Sequence, residues 1–269
     1  MRRNSHRKKK MVVGILWDLD GTLVDSSDLC RSASNVVLQK HGFRGELSKE
    51  QYHEGSKYIT SRRMAFHAVG NPDDPIGLQL GADFDAFYID MVTPTTVPLF
   101  PGLRAVLNNI SNDDSIGHGV LSNACGTYVR AVCSAHKLSS TFSCIYGSDD
   151  VPAPKPNPDG LLTCSRNIEV DVDFCVYIGD SKSDGLAARA AGMKSVYVSW
   201  GHPFSESVAS AFDYRASTVE ELCLVVDGFI DECKAVHKHA HAVVWAADVV
   251  DNEGLNKQRT DNEFWDGRR

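Results

Sequence analysis

MVVGILWDLDGT, residues 11–22, is the stretch from which the rest of the chain is read. Met11–Trp17 is a short apolar run with three β-branched residues, the pattern of a strand buried on both faces. It ends at Asp18, and Asp20 follows two residues later. Gly21 permits a tight turn, so both carboxylates can enter one site once the chain has left the pleat. Alone, such a pair is equally at home capping a helix or facing solvent.

Beyond it the pattern becomes helical. Leu29, Ala33, Val36 and Lys40 follow helical spacing from Ser26, and Gly42 is a stop. Residues 28–93 contain only helix-like segments, broken around 42–45 and 70–81. VPLFPG, Val97–Gly102, closes this block, and a helix is expected over 102–110. Strands are then expected at Ile116–Leu121, Cys144–Tyr146, Phe174–Ile178 and Ser195–Val198. Helices are expected between them at Thr127–His136, Pro158–Arg166 and Asp184–Ala191. Such alternation means a parallel sheet covered on both faces. The expected fold class is therefore α/β: a doubly wound, Rossmann-like core of residues 11–26 and 97–230, with an α-helical cap inserted at 27–96. Residues 1–10 read as a basic disordered tail and 231–269 as a C-terminal helical extension, frayed at its end. His237 and His241 have metal-ligand spacing but lack a third ligand, which makes an exposed helix face the better reading.

Composition narrows the function classes. Of 269 residues, 42% are hydrophobic and 23% charged, as in an ordinary soluble domain. No apolar run approaches the roughly 20 residues of a membrane span, and no signal-peptide pattern is present. Residues 1–10 carry six Lys/Arg, which leaves 22 basic against 35 acidic residues elsewhere. So acidic a body argues against nucleic acid as a partner. The eight cysteines form no C-x-x-C pair and suit a reducing compartment. A cytoplasmic protein is expected, with nuclear targeting left open by the basic head. No pattern speaks to oligomeric state.

Three further stations carry chemistry. Ser122 and Asn123 end a strand, where a hydroxyl and main-chain N–H groups can hold a phosphate oxygen. Lys155 lies between Pro154 and Pro156, which stiffen its loop. Gly179-Asp180-Ser181-Lys182-Ser183-Asp184 follows the strand FCVYI and opens a helix. Each station alone is an ordinary turn, loop or helix cap. Together they all fall just past strand carboxyl ends, where open parallel sheets bind ligands. Carboxylates gathered there repel unless a cation sits among them. A hard, oxygen-liganded dication is expected, Mg2+ foremost.

DLDGT, LSN, the lysine of PKPNP and GDSKSD, in that order, resemble the four motifs of the haloacid dehalogenase superfamily of aspartate-nucleophile phosphohydrolases, over about residues 11–230. The resemblance implies Asp18 as nucleophile and Asp20 as general acid and base, with its main-chain carbonyl on the metal. It implies phosphate binding by Ser122 and Asn123, charge stabilisation by Lys155, and Mg2+ ligation by Asp18, Asp20 and Asp180. Asp184 would be a ligand or orient the metal's waters. FPGL, KPNPDGLL, AARAAGM and YVSWG look most like the phosphoglycolate phosphatase branch. An acid at position 20 indicates phosphate chemistry rather than dehalogenation. A phosphosugar mutase needs the same acid and remains an alternative. A non-catalytic binding protein on the fold is disfavoured by the intact stations. Lys57, Arg62 and Arg63 lie on an expected cap helix. They are candidates for reaching a carboxylate or second anionic group on a small phosphorylated metabolite; otherwise they form a solvated basic face.

Overall fold

In the computed structural model, residues 12–43 and 45–239 are described. After β1 (Val13–Trp17) come four helices: α1 (Ser27–Lys40), α2 (Lys49–Gly55), α3 (Thr60–Val69) and α4 (Ile76–Ile89). There follow α5 (Leu103–Ser111), β2 (Ile116–Leu121), α6 (Gly126–Ala135), β3 (Cys144–Tyr146) and α7 (Asp159–Asn167). A short 3-10 turn precedes β4 (Cys175–Gly179), α8 (Lys182–Ala191), β5 (Lys194–Val198), α9 (Glu206–Ala209) and β6 (Tyr214–Ala216).

The six strands form one sheet in the order β3-β2-β1-β4-β5-β6, with every pairing parallel. Every residue of β1, β2 and β4 is buried, as expected of strands covered on both faces. The winding direction reverses at β1, whose neighbours are β2 and β4. Trp17 pairs with both Val120 and Ile178, so these three strands end nearly level. A crevice opens at such a reversal, outside the carboxyl ends, and Asp18, Ser122 and Asp180 all leave the sheet there.

The segment carrying α1–α4 is tied at its two ends. The Asp25 N–H donates to Pro98 O at 2.9 Å and the Phe100 N–H to Leu23 O at 3.1 Å. Within it α3 and α4 approach closely, because Gly77 and Gly81, one turn apart on α4, lie over the backbone of Ser61. α1 buries Leu29, Cys30, Ala33 and Val37, whereas Lys40 is exposed. The buried stripe thus runs through the residue four beyond Ala33, not through Val36 as the sequence reading placed it.

β6 and α9 were not anticipated. β6 is a three-residue strand with two exposed positions, which leaves no apolar run to recognise. The described chain falls into two compact units divided between Val226 and Asp227. The described part of the second, 227–239, is helical, and the boundary expected at residue 230 lies inside it. The basic head 1–10 and residues 240–269 lie outside the described residues, and with them His241 of the His237/His241 pair. Among the described residues no helix is long and apolar enough to cross a membrane.

Candidate active site

Asp18 is the first residue past β1, and its N–H still donates to Ile178 O at 2.8 Å. Its side chain is thereby aimed over the end of the sheet while remaining buried. The next residues fold into a tight loop: the Gly21 N–H donates to Val24 O at 2.9 Å and the Val24 N–H to Leu19 O at 3.0 Å. Gly21 has φ +79°, and a side chain there would collide with the Asp180 carboxylate. Only glycine meets both demands.

Asp180 follows β4, and Asp184 lies in the first turn of α8. Ser181 caps that helix. Its N–H donates to Asp184 Oδ2 at 2.9 Å and its hydroxyl donates to the same oxygen at 2.7 Å. Asp184 is fully buried, and its other oxygen, Oδ1, takes no hydrogen bond although Lys155 Nζ stands 2.7 Å away. One oxygen from each of Asp18, Asp180 and Asp184 lies within 4.8 Å of the others.

Lys155 meets this cluster from the β3–α7 loop. Its Nζ donates to Asp18 Oδ1 at 2.6 Å, to Tyr177 Oη at 2.8 Å and to Leu121 O at 3.2 Å. Asn123 holds the loop from beneath. The Lys155 N–H donates to Asn123 Oδ1 and Asn123 Nδ2 donates to Lys155 O, each at 2.9 Å. The Asn123 side-chain amide is thus spent on positioning Lys155. The buried Ser122 hydroxyl accepts the Ala124 N–H at 3.1 Å.

Burial raises the Asp18 carboxyl to about 7, against the pull of Lys155 and with a further push from Asp184. Burial, then Asp18 and Asp184, holds Asp180 well above the usual carboxylate range. Burial alone would lower the Lys155 ammonium, but Asp18 and Asp184 outweigh it and its pKa lies above the ordinary lysine value. Two buried carboxylates and one half-buried, facing one ammonium, leave two negative charges unbalanced when all three are ionised. The all-oxygen donor set and that imbalance fit a hard dication. The Asp20 side chain stands outside this cluster and accepts the Tyr128 hydroxyl at 2.7 Å.

Asp18, Asp20, Ser122, Asn123, Lys155 and Asp180 line one cavity of about 430 Å³. Its far wall comes from α1–α4, and Lys57 and Arg63 line it. Arg63 lies against the rings of Phe84 and Tyr52, at 5.0 and 5.9 Å from their centroids. Its Nε is buried and makes no hydrogen bond. Asp85 faces the same cavity, its carboxyl raised to about 6 by burial against the pull of Arg63. Arg62 is not brought in: it pairs with Asp73 at 2.8 Å and lines a separate shallow hollow. Tyr128, Tyr177 and His202 were missed by sequence reasoning. His202 Nε2 stands 3.4 Å from Asp180 Oδ2, and no motif marks it.

The family model for haloacid dehalogenase-like hydrolases matches residues 15–198. A phosphoglycolate phosphatase of Pseudomonas fluorescens is 27% identical over 81% of this chain and 79% of its own length. One from Yersinia pestis is 29% identical over 76% of this chain and 88% of its own. Among solved structures, CbbY from Rhodobacter sphaeroides in complex with phosphate matches with a TM-score of 0.68. It is 21% identical and covers 79% of this chain and 96% of its own, a likeness of fold.

Proposed function

From the premise that the chain belongs to the haloacid dehalogenase-like hydrolase family, as a phosphoric monoester hydrolase, we propose that it hydrolyses a small phosphomonoester such as phosphoglycolate through a phosphorylated Asp18. Residues 27–96 act as the cap over a core of 11–26 and 97–230. Asp18 attacks phosphorus in line. The new P–O bond forms to its carboxylate as the ester P–O bond breaks, and Asp20 gives its proton to the leaving oxygen. Water then attacks phosphorus and loses a proton to Asp20. The Asp18–phosphorus bond breaks, and inorganic phosphate and a free carboxylate result. Lys155 supplies fixed positive charge beside the transferring group. Ser122 and the main chain of Asn123 hold phosphate oxygens.

Asp18, Asp180 and Asp184, with the main-chain carbonyl of Asp20, are the residues that would hold Mg2+. Bound there, Mg2+ neutralises charge between phosphate and nucleophile. Lys57 and Arg63 face the non-phosphoryl part of the substrate, and Arg63 has an unpaired buried Nε to offer a second anionic group. A cytoplasmic setting agrees with eight free cysteines.

The carrying observation is the Asp18–Lys155 contact of 2.6 Å in this cavity, clustered with the Asp180 and Asp184 carboxylates. A phosphosugar mutase would form the same phospho-Asp18 but must hold a bisphosphate and let it turn over. The test is to incubate the protein and Mg2+ with phosphoglycolate and, separately, with β-glucose 1-phosphate plus a bisphosphate primer. Release of phosphate from phosphoglycolate, abolished in Asp18→Asn, is expected. Glucose 6-phosphate formed faster than free phosphate would overturn the phosphatase reading in favour of the mutase.

A further inference from the structure

The Asp20 carboxylate is reached by a directed chain of two phenols. The Tyr88 hydroxyl donates to Tyr128 Oη at 3.1 Å, and the Tyr128 hydroxyl donates to Asp20 Oδ1 at 2.7 Å. Both rings are buried, with centroids 4.6 Å apart. Tyr88 belongs to α4 and Tyr128 to α6, so the chain runs from the helical segment onto the α/β core and ends on Asp20.

Direction matters here. A phenol has one hydrogen. Because Tyr128 receives the hydrogen of Tyr88, its own is committed to Asp20 Oδ1. Oδ1 is thereby engaged as an acceptor, which leaves Oδ2 as the oxygen available to the substrate. An acid that delivers a proton to one leaving oxygen gains when a single orientation is populated, and hydrogen bonds in series strengthen one another. The ordinary need of a buried phenol for a partner explains that Tyr128 is paired. It does not explain why the pair ends on Asp20.

We propose that Tyr128 is the positioning residue that fixes which Asp20 oxygen faces the substrate, and that Tyr88 makes this fixing depend on α4 being seated against α6. The proposal rests on the reading of Asp20 as acid and base. It names two residues that the sequence reading assigned only to helices.

The test uses the full chain and two esters. An alkyl phosphate, phosphoglycolate first, has a poor leaving group that must be protonated; p-nitrophenyl phosphate needs almost no proton. Tyr128→Phe keeps the ring and removes the donor. It should lower kcat on the alkyl ester by on the order of 10- to 100-fold, within the range of general acid catalysis. KM should be little changed, and the loss on p-nitrophenyl phosphate should stay below about threefold. Tyr88→Phe should show the same selectivity more weakly. In an Asp20→Asn background, Tyr128→Phe should cost nothing more, because it acts through Asp20. Equal losses on both esters, or none on either, would overturn the proposal. If the wild type hydrolyses neither ester, the hydrolase substrate reading fails, and crystal structures then decide this proposal separately. An Asp20 carboxylate that keeps one orientation in Tyr128→Phe overturns it, and one that turns or splits supports it.

Discussion

Lys155 Nζ lies 2.6 Å from Asp18 Oδ1 and 2.7 Å from Asp184 Oδ1, so one ammonium answers two of the three clustered carboxylates. Lys155→Ala should lower kcat by on the order of 10²–10³, as loss of one preorganised electrostatic group does. Lys155→Arg should recover little, because a planar fork does not replace a compact ammonium held between Asp18, Tyr177 and Leu121 O. Steady-state kinetics on the released phosphate would check both, and a loss below about tenfold would return Lys155 to a structural role. Asp18, Ser122, Asp180 and Asp184 could be picked out in the sequence because each follows closely on a strand whose apolar run is plain, and Lys155 because prolines flank it. Tyr128 and Tyr177 could not. Their rings satisfy the core pattern of a buried face, and hydropathy does not register where a hydroxyl points. Nor could Arg62 be told from Arg63. The two are neighbours about 100° apart around a helix, and only the packing of α3 on its neighbours turns Arg63 toward the cavity and Arg62 toward Asp73.

At the scale of elements, the approach of α3 to α4 shapes that far wall. A Cβ built at Gly77 comes against Ser61 O and within 2.8 Å of Ala65 Cβ. Gly77→Ala ought to gain about 1 kcal/mol of intrinsic helix stability. The backbone carbonyl cannot rotate away as a flexible side chain could, so overpacking should reverse the sign. A net loss of about 1–3 kcal/mol is expected, read from denaturant midpoints at unchanged slope. A stabilised variant would mean that the helices part without cost. The sequence reading took 70–81 as a break because its glycines looked like punctuation; Gly77 and Gly81 instead lie inside α4 and permit close packing. The parallel strands were legible for the opposite reason: burial on both faces leaves them unbroken apolar runs, whereas β6, short and half exposed, has no such run.

At the scale of the whole molecule, two kinds of buried titratable group pull stability in opposite directions over one pH range. Asp18 rises from 3.8 to about 7 on folding because it is desolvated. The folded state then holds its proton more tightly than the unfolded one, so this contribution is present below pH 4 and is lost as pH rises toward 7. His118, buried in β2 with neither ring nitrogen paired to a side chain, falls from 6.5 to about 4, again by desolvation. Its neutral form is favoured, so its contribution is present above about 6.5 and is lost as pH falls toward 4. The two partly cancel, and a bare melting profile would say little about either. A difference measurement separates them. Carboxylates must be deprotonated to hold a cation, whereas His118 affects the loaded and metal-free protein alike. The rise in Tm produced by millimolar Mg2+ should therefore be small near pH 5, grow through the window up to about 7, and level off above it. At saturation on the order of 100 times Kd it would amount to about 2.7 kcal/mol, on the order of 5 °C for a unit of this size. Calorimetry with and without Mg2+ across pH 5–8 reads it directly. A Mg2+ increment equal at pH 5 and pH 8 would detach the cation from Asp18, Asp180 and Asp184. An increment that vanishes in Asp18→Asn, while His118 and the fold are untouched, ties it to the cluster at the end of β1.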